Sequence, residues 1–171
     1  MTVAARRLVT EFDRAGLRAT RHALGGTPAV PVARALSGFG EHAAGWVALG
    51  VLGWSTGRRR HEWAAGLSGV VAAHAAGVLL KRLVRRPRPD LPDAPPLVST
   101  ASRLSFPSAH SCSTAAAAVG YAPLVGRAPG LTATGAMLTA RVLLGVHYPS
   151  DVLAGAALGS GVAWVVRRRL G

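Results

Sequence analysis

The stretch RVLLGVHYPSD, residues 141–151, sets Arg141, His147 and Asp151 at the end of an apolar run. Charge beside hydrocarbon is costly unless it is paired or used, so these three residues ask for a partner or a task. The chain around them is poor in charge: half of its 171 residues are apolar and 16% are charged. Its Ala, Val, Leu and Gly fall into runs separated by short arginine-rich clusters, the pattern of a multi-span membrane protein. The expected fold class is all-α, an integral-membrane helical bundle of about five spans in the plasma (inner) membrane.

A formal charge of +13 would also suit a nucleic-acid binder, because Lys and Arg neutralise phosphates and release counterions. Position argues otherwise. Arg58-Arg59-Arg60 and Arg167-Arg168-Arg169 sit at the ends of apolar runs, where a membrane protein meets headgroups and fixes its orientation. No nucleic-acid partner is expected. The single Cys112 has no internal disulfide partner and reads as packing.

Residues 1–35 alternate Arg with Val, Leu and Phe at helical spacing, which predicts an amphipathic helix lying in the interface rather than a span. Residues 36–171 form the membrane-embedded domain. Its expected spans are Leu36–Trp54, interrupted by Glu41-His42; Trp63–Leu80, carrying His74; and about Ser108–Val125, Leu131–Val146 and Val152–Val166. The segment between the second and third is rich in Pro and Arg, cannot be helical throughout, and belongs outside the hydrocarbon. Trp46, Trp54, Trp63 and Trp164 read as packing or interfacial-belt residues.

Followed in and out of the membrane, the polar residues sort by side. Lys81 ends the second span, Ser108 and His110 begin the third, Arg141 and His147 end the fourth, and Asp151 begins the fifth. All share one face with the proline-rich loop. Lys81, Arg88 and Arg141 collected in one pocket repel unless an anion lies between them, and guanidinium forks with a Lys point charge suit phosphate oxygens. The Ser108 hydroxyl and the amides at the start of the third span add a helix N-terminus. Phosphate binding alone does not require two imidazoles, whereas phosphoryl transfer uses a nucleophile and a proton donor. On this reading Arg141 binds the phosphoryl group, His147 attacks it and Asp151 aims His147.

Lys81-x6-Arg88-Pro89, Pro107-Ser108-Ala109-His110 and Arg141-x5-His147-x3-Asp151 together resemble the three-part signature of the type 2 phosphatidic acid phosphatase (PAP2) superfamily, which includes the vanadium haloperoxidases. The resemblance covers about residues 62–166. It departs at two places, Ala109 for a Gly and Ala140 for a Ser, the second removing a hydroxyl from the phosphate cradle. It implies a phosphatase with no metal and no cofactor that works through a phosphohistidine. In it His147 is the nucleophile, His110 protonates the leaving oxygen and activates water, and Lys81, Arg88, Ser108, Ala109 and Arg141 hold the phosphate. More narrowly, LSGFGEHAAGW, SRLSFPSAHS and LLGVHYPSDVLAG resemble small actinobacterial members that remove the 5-phosphate of decaprenyl-phosphoryl-phosphoribose in cell-wall arabinan precursor synthesis.

Bland readings stand beside these. Lys81 and Arg88 singly would pass for interfacial anchors, as Arg82, Arg85 and Arg86 do, and Asp151 singly for a helix-dipole partner. His74 is a candidate to line the substrate path or to pack. Glu41 and His42 are candidates to contact a sugar, or to cap and pair. The expected partners are a polyprenyl-linked or other lipid phosphate and membrane lipids, with homo-oligomerisation left open. Undecaprenyl diphosphate, phosphatidic acid and phosphatidylglycerol phosphate are the alternative substrates. A vanadium haloperoxidase is a second enzyme class, and a membrane scaffold or pore binding anionic lipid is the non-enzymatic reading. With the phosphate ligands set aside, ten Lys and Arg on the catalytic side against seven on the other lean the site toward the cytoplasm.

Overall fold

The computed structural model describes residues 2–170. Helices α1 (Val3–Leu24) and α2 (Ala29–Gly40) lead through a 3-10 turn (Glu41–Ala43) into α3 (Ala44–Ser55) and α4 (Arg60–Val84). A long loop then reaches α5 (Ala109–Gly120), a short α6 (Ala122–Val125), α7 (Arg127–Leu143) and α8 (Pro149–Leu170). Extended pairing among the described residues is an isolated bridge between Pro87 and Leu104. The fold is the expected all-helical bundle.

Helix α5 is the hub, packed by α4, α7 and α8, with α3 against α4 and α2 against α7. Membrane helices gain nothing from expelling water between them, so close approach of backbones supplies the attraction. Gly66 and Gly120 face each other where α4 meets α5, a Cβ on Gly120 falling 2.9 Å from the Gly66 Cα. On α8, a Cβ on Gly159 would collide with the Cys112 carbonyl. Cys112 is a buried free thiol that donates to the Ala73 carbonyl at 3.0 Å, so it packs as expected. Tyr121 fills the far end of this seam, its hydroxyl donating to Trp46 O at 3.0 Å.

The expected span limits shift for identifiable reasons. The first span is two helices, because His42 and Ala43 take left-handed backbone at φ 49° and 61° and turn the chain between α2 and α3. Phe39 and Trp46 close over that turn edge to face at 4.8 Å. The third breaks at Tyr121 into α5 and α6. The fourth ends at Leu143, before Gly145 at φ 71° turns the chain toward His147. Of the described helices, α4 and α8 are long and apolar enough to cross a membrane. The 12 residues each of α3 and α5 reach only about 18 Å at ~1.5 Å per residue.

The two ends of the bundle differ as their charges do. At one end Arg60 and Arg168 lie over the rings of the exposed Trp54 and Trp164, at 4.4 and 4.1 Å. At the other, α1 lies across the end of α7 and the start of α8, exposing Val3, Leu8 and Phe12 while burying Asp13 and Leu17. That inversion suits a helix resting on lipid. The proline-rich loop is pinned there by Arg18 on Asp93 (2.6 Å), Arg21 on Pro95 O (2.8 Å) and Leu97 N on Leu144 O (2.9 Å).

Gly159→Val places side-chain atoms where the Cys112 backbone lies, and overpacking of this kind costs about 1–3 kcal/mol or more. The variant is expected to unfold at lower temperature in detergent than Ala156→Val on the same helix, measured by thermal denaturation followed by circular dichroism.

Candidate active site

The three motifs meet in one cavity of about 480 Å³ at the α1 end of the bundle. Lys81 and Arg88 enter from the end of α4 and the loop, Ala109 and His110 from the start of α5, and Arg141 and His147 from the end of α7 and the turn after it. Glu41, His42 and His74 line the same cavity, with Ser37, Ser99, Thr100 and Ser102. Two of the expected site residues stand behind the wall. Ser108 is fully buried and its oxygen accepts from Ser111 N at 3.3 Å and Ser111 Oγ at 3.0 Å, making it the cap of α5. Asp151 is likewise buried, beneath His147.

Hydrogen-bond chemistry assigns the proton on His147. Arg88 Nη1 lies 3.1 Å from His147 Nε2, and a guanidinium can only donate. Nε2 is therefore the acceptor and the proton sits on Nδ1, 3.7 Å from Asp151 Oδ2. That separation exceeds a hydrogen bond, and Nδ1 has no other partner in the structure, so the carboxylate acts on the ring as a nearby charge. Burial, then the charges of Arg141, Arg88 and Lys81, push the His147 imidazole well below its ordinary range. The ring is neutral near pH 7, with a lone pair available at Nε2.

The Arg88 and Arg141 guanidiniums are held in place against each other. Arg88 donates to Val146 O at 2.6 Å and Ser102 O at 2.7 Å. Arg141 donates from Nη1 to the Ser37 hydroxyl, while its buried Nε has no partner. A buried N–H without an acceptor costs about 1–3 kcal/mol, and an anionic oxygen in the cavity would satisfy it. Ala140, where the motif resemblance expects Ser, packs with Ala33, Leu143 and Leu144 instead. The hydroxyl on Arg141 comes from α2. Ser37 also fixes His110, whose Nε2 donates to its carbonyl at 3.1 Å with Glu41 Oε2 at 3.5 Å.

Arg86 is no surface anchor. It donates from Nη1 to Asp151 Oδ1 and Ser150 Oγ and from Nη2 to Asp13 Oδ2, each at 2.7 Å, and its guanidinium covers the Tyr148 ring at 4.4 Å. Asp151 spends its other oxygen on Tyr148 N at 2.8 Å, and its own carbonyl receives Ser108 N at 3.0 Å. Ser37, Arg86 and Asp13 all lie outside the motifs, and the signal available for one of them is an aspartate on the inner face of the amphipathic N-terminal helix. Among the described residues no group of three or more His, Cys, Asp or Glu is gathered to hold a metal; the cavity gathers cations instead.

Asp151→Asn turns an amide NH2 toward Arg86 or Tyr148 N, both donors, and removes the charge beside His147. A rate lower by about three to four orders of magnitude is expected, by analogy with loss of the carboxylate from a triad, and single-turnover phosphate release measures it.

Comparison with known proteins gives the same reading. The PAP2 superfamily model matches residues 62–170. A decaprenylphosphoryl-5-phosphoribose phosphatase of Mycobacterium tuberculosis is 49% identical over 159 residues, 90% of this chain and 81% of that protein. Its namesake from Mycolicibacterium smegmatis is 51% identical over 146 residues, 84% of this chain and 81% of that one. A transmembrane PAP2 type phosphatidylglycerolphosphate phosphatase from Bacillus subtilis superposes with a TM-score of 0.73 at 25% identity, over 98% of this chain and 87% of that one. Aquifex aeolicus LpxE gives 0.71 at 18% identity, over 91% and 94%, and speaks for the fold. With three motifs converging on one cavity in this helical frame, the chain belongs to the PAP2 superfamily.

Proposed function

We propose that this enzyme hydrolyses the 5-phosphate of decaprenyl-phosphoryl-phosphoribose. The observation that carries the substrate is identity of about half over most of the chain with two proteins named for that activity. The cavity suits it. Beyond the cations its lining includes Ser99, Thr100, Ser102, Glu41 and His42, groups able to meet sugar hydroxyls, beside the apolar Val78, Val98 and Leu104.

The chemistry follows from the donors. The phosphoryl oxygens settle among Lys81, Arg88 and Arg141, with the orphaned Arg141 N–H taking one of them. Arg88 releases Nε2 as it turns to phosphate. His147 Nε2 then forms the N–P bond as the P–O bond to the sugar breaks, and His110 delivers a proton to the departing sugar oxygen. Water attacks the phosphohistidine, giving its proton back to His110, and inorganic phosphate leaves with His147 restored. Asp151 offsets the positive charge the ring carries while phosphorylated. Preorganised cations aimed at developing phosphoryl charge supply most of such an acceleration.

His147→Ala is expected to abolish turnover while leaving vanadate or phosphate binding in place. Phosphate release from a panel holding the 5-phosphoribosyl lipid, undecaprenyl diphosphate, phosphatidic acid and phosphatidylglycerol phosphate tests both claims. Retained activity in the variant removes His147 from the nucleophile role, and preference for any other lipid overturns the substrate.

The site is proposed to face the cytoplasm, following the arginine count and the apolar outer face of α1. Single cysteines at the exposed Asp90 and Arg58, in a Cys112→Ser background, check it. An impermeant thiol reagent on intact cells is expected to label position 58 and spare position 90; the reverse pattern places the site outside.

A further inference from the structure

Asp13 is fully buried on a helix whose outer face is apolar. A buried carboxylate is costly unless it is charge-paired and hydrogen-bonded, and this one is both. Its Oδ1 accepts from Ser150 N at 2.8 Å, and its Oδ2 accepts from Ser150 Oγ and Arg86 Nη2, each at 2.7 Å. Arg86 stands between two carboxylates, with Asp151 Oδ1 on its other arm at 2.7 Å. The remaining oxygen of Asp151 is the one beside His147. A chain of direct contacts thus runs from the N-terminal helix through Arg86 and the first turn of α8 to the reacting imidazole.

We propose that Asp13 and Arg86 are positioning residues for the nucleophile, Asp13 drawing the Arg86 charge away from Asp151 and pinning Ser150 so that Asp151 keeps its negative field on His147. The inference rests on the phosphatase reading with His147 as nucleophile. Neither residue lines the cavity, so neither contacts phosphate. Their effect must travel through Asp151.

Two consequences separate this role from a merely structural one. With one carboxylate removed, the guanidinium charge falls on Asp151 alone, and the ring loses part of the field that favours its cationic, phosphorylated form. Chemistry slows while phosphate binding, made by Lys81, Arg88 and Arg141, does not. The ring also becomes a weaker base. The charged and titratable groups facing His147 are Lys81 from α4, Arg88 from the loop, His110 from α5, Arg141 from α7 and Asp151 from α8, with Glu41 on the cavity wall. All of them stay in place in an Asp13 variant, so a displaced acid limb reports the Asp13–Arg86–Asp151 bridge.

The test is steady-state kinetics of full-length Asp13→Asn in detergent micelles, with the 5-phosphoribosyl lipid phosphate across pH. The expected result is a kcat lower by about tenfold to a hundredfold, the scale for outer-shell partners of an active group, with KM within about twofold. The acid limb of kcat/KM should move to lower pH than in the unmodified enzyme on the same substrate. Asp13→Glu, which keeps the charge, is expected to recover part of the rate. Unchanged kcat in Asp13→Asn, or a fall in rate with the acid limb in place, overturns the proposal. Should Asp13→Asn fail to assemble, Ser150→Ala loses the Asp13 and Arg86 contacts of a single hydroxyl with every charge kept, and tests the pinning: a lower kcat at unchanged KM supports it, and an unchanged kcat overturns it. Activity surviving His147→Ala would instead remove His147 from the nucleophile role on which the inference rests, so the two failures are distinguishable.

Discussion

Three like charges in one partly buried cavity repel, and holding Lys81, Arg88 and Arg141 together is the constraint that organises this enzyme. Each guanidinium is fixed by an oxygen acceptor from a different element: Val146 and Ser102 for Arg88, Ser37 for Arg141. These contacts fix geometry without cancelling charge, so the cavity stays electropositive. A phosphoryl dianion is the natural counter-charge, and its transition state, with charge spread over the same oxygens, is matched better still. The carboxylate of Asp151 sits behind the ring of His147, the proposed nucleophile, rather than in the cavity.

Packing serves this arrangement. Gly159 and Gly120 bring the α5 backbone against α8 and α4, and Ser108 N on Asp151 O joins the starts of α5 and α8. The positions of His110 and Asp151 are thereby set by main chain, not by flexible side chains. That rigidity suits a reaction in which a 1 Å misplacement is costly.

Much of the site was legible in the sequence because the chemistry falls at span ends, where a charged residue has few other uses. Lys81, Arg88, His110, Arg141 and His147 reach one cavity as expected, and so do Glu41, His42 and His74. What sequence could not show were contacts made across long separations. Arg86 is one of several arginines after α4, and nothing in its neighbours distinguishes it from Arg85; only the folded chain puts Asp13 and Asp151 on its two arms. Ser37 sits in a small-residue stretch that reads as helix packing, and its service to Arg141 and His110 depends on where α2 ends. Ser108 was legible as a helix start, which is what it does, but the hydroxyl that caps α5 is turned away from the cavity. Span limits slipped where local backbone overrode hydropathy, at His42, Tyr121 and Gly145.

The long reach of Asp13 bears on the order in which the protein is assembled. Helix α1 leaves the ribosome before the other described helices, yet the acceptors on its buried carboxylate are filled by Arg86 and by Ser150, 137 residues further on from Asp13. Until α8 has been made, the carboxylate has no complete set of partners, and docking it into the bundle would bury an unsatisfied charge. An amphipathic helix has somewhere to wait: the membrane surface, with Leu8 and Phe12 in lipid and Asp13 in water. The site is then closed last by the earliest made of the described helices, and a nascent chain short of α8 holds Lys81, Arg88 and Arg141 without Asp151 behind His147.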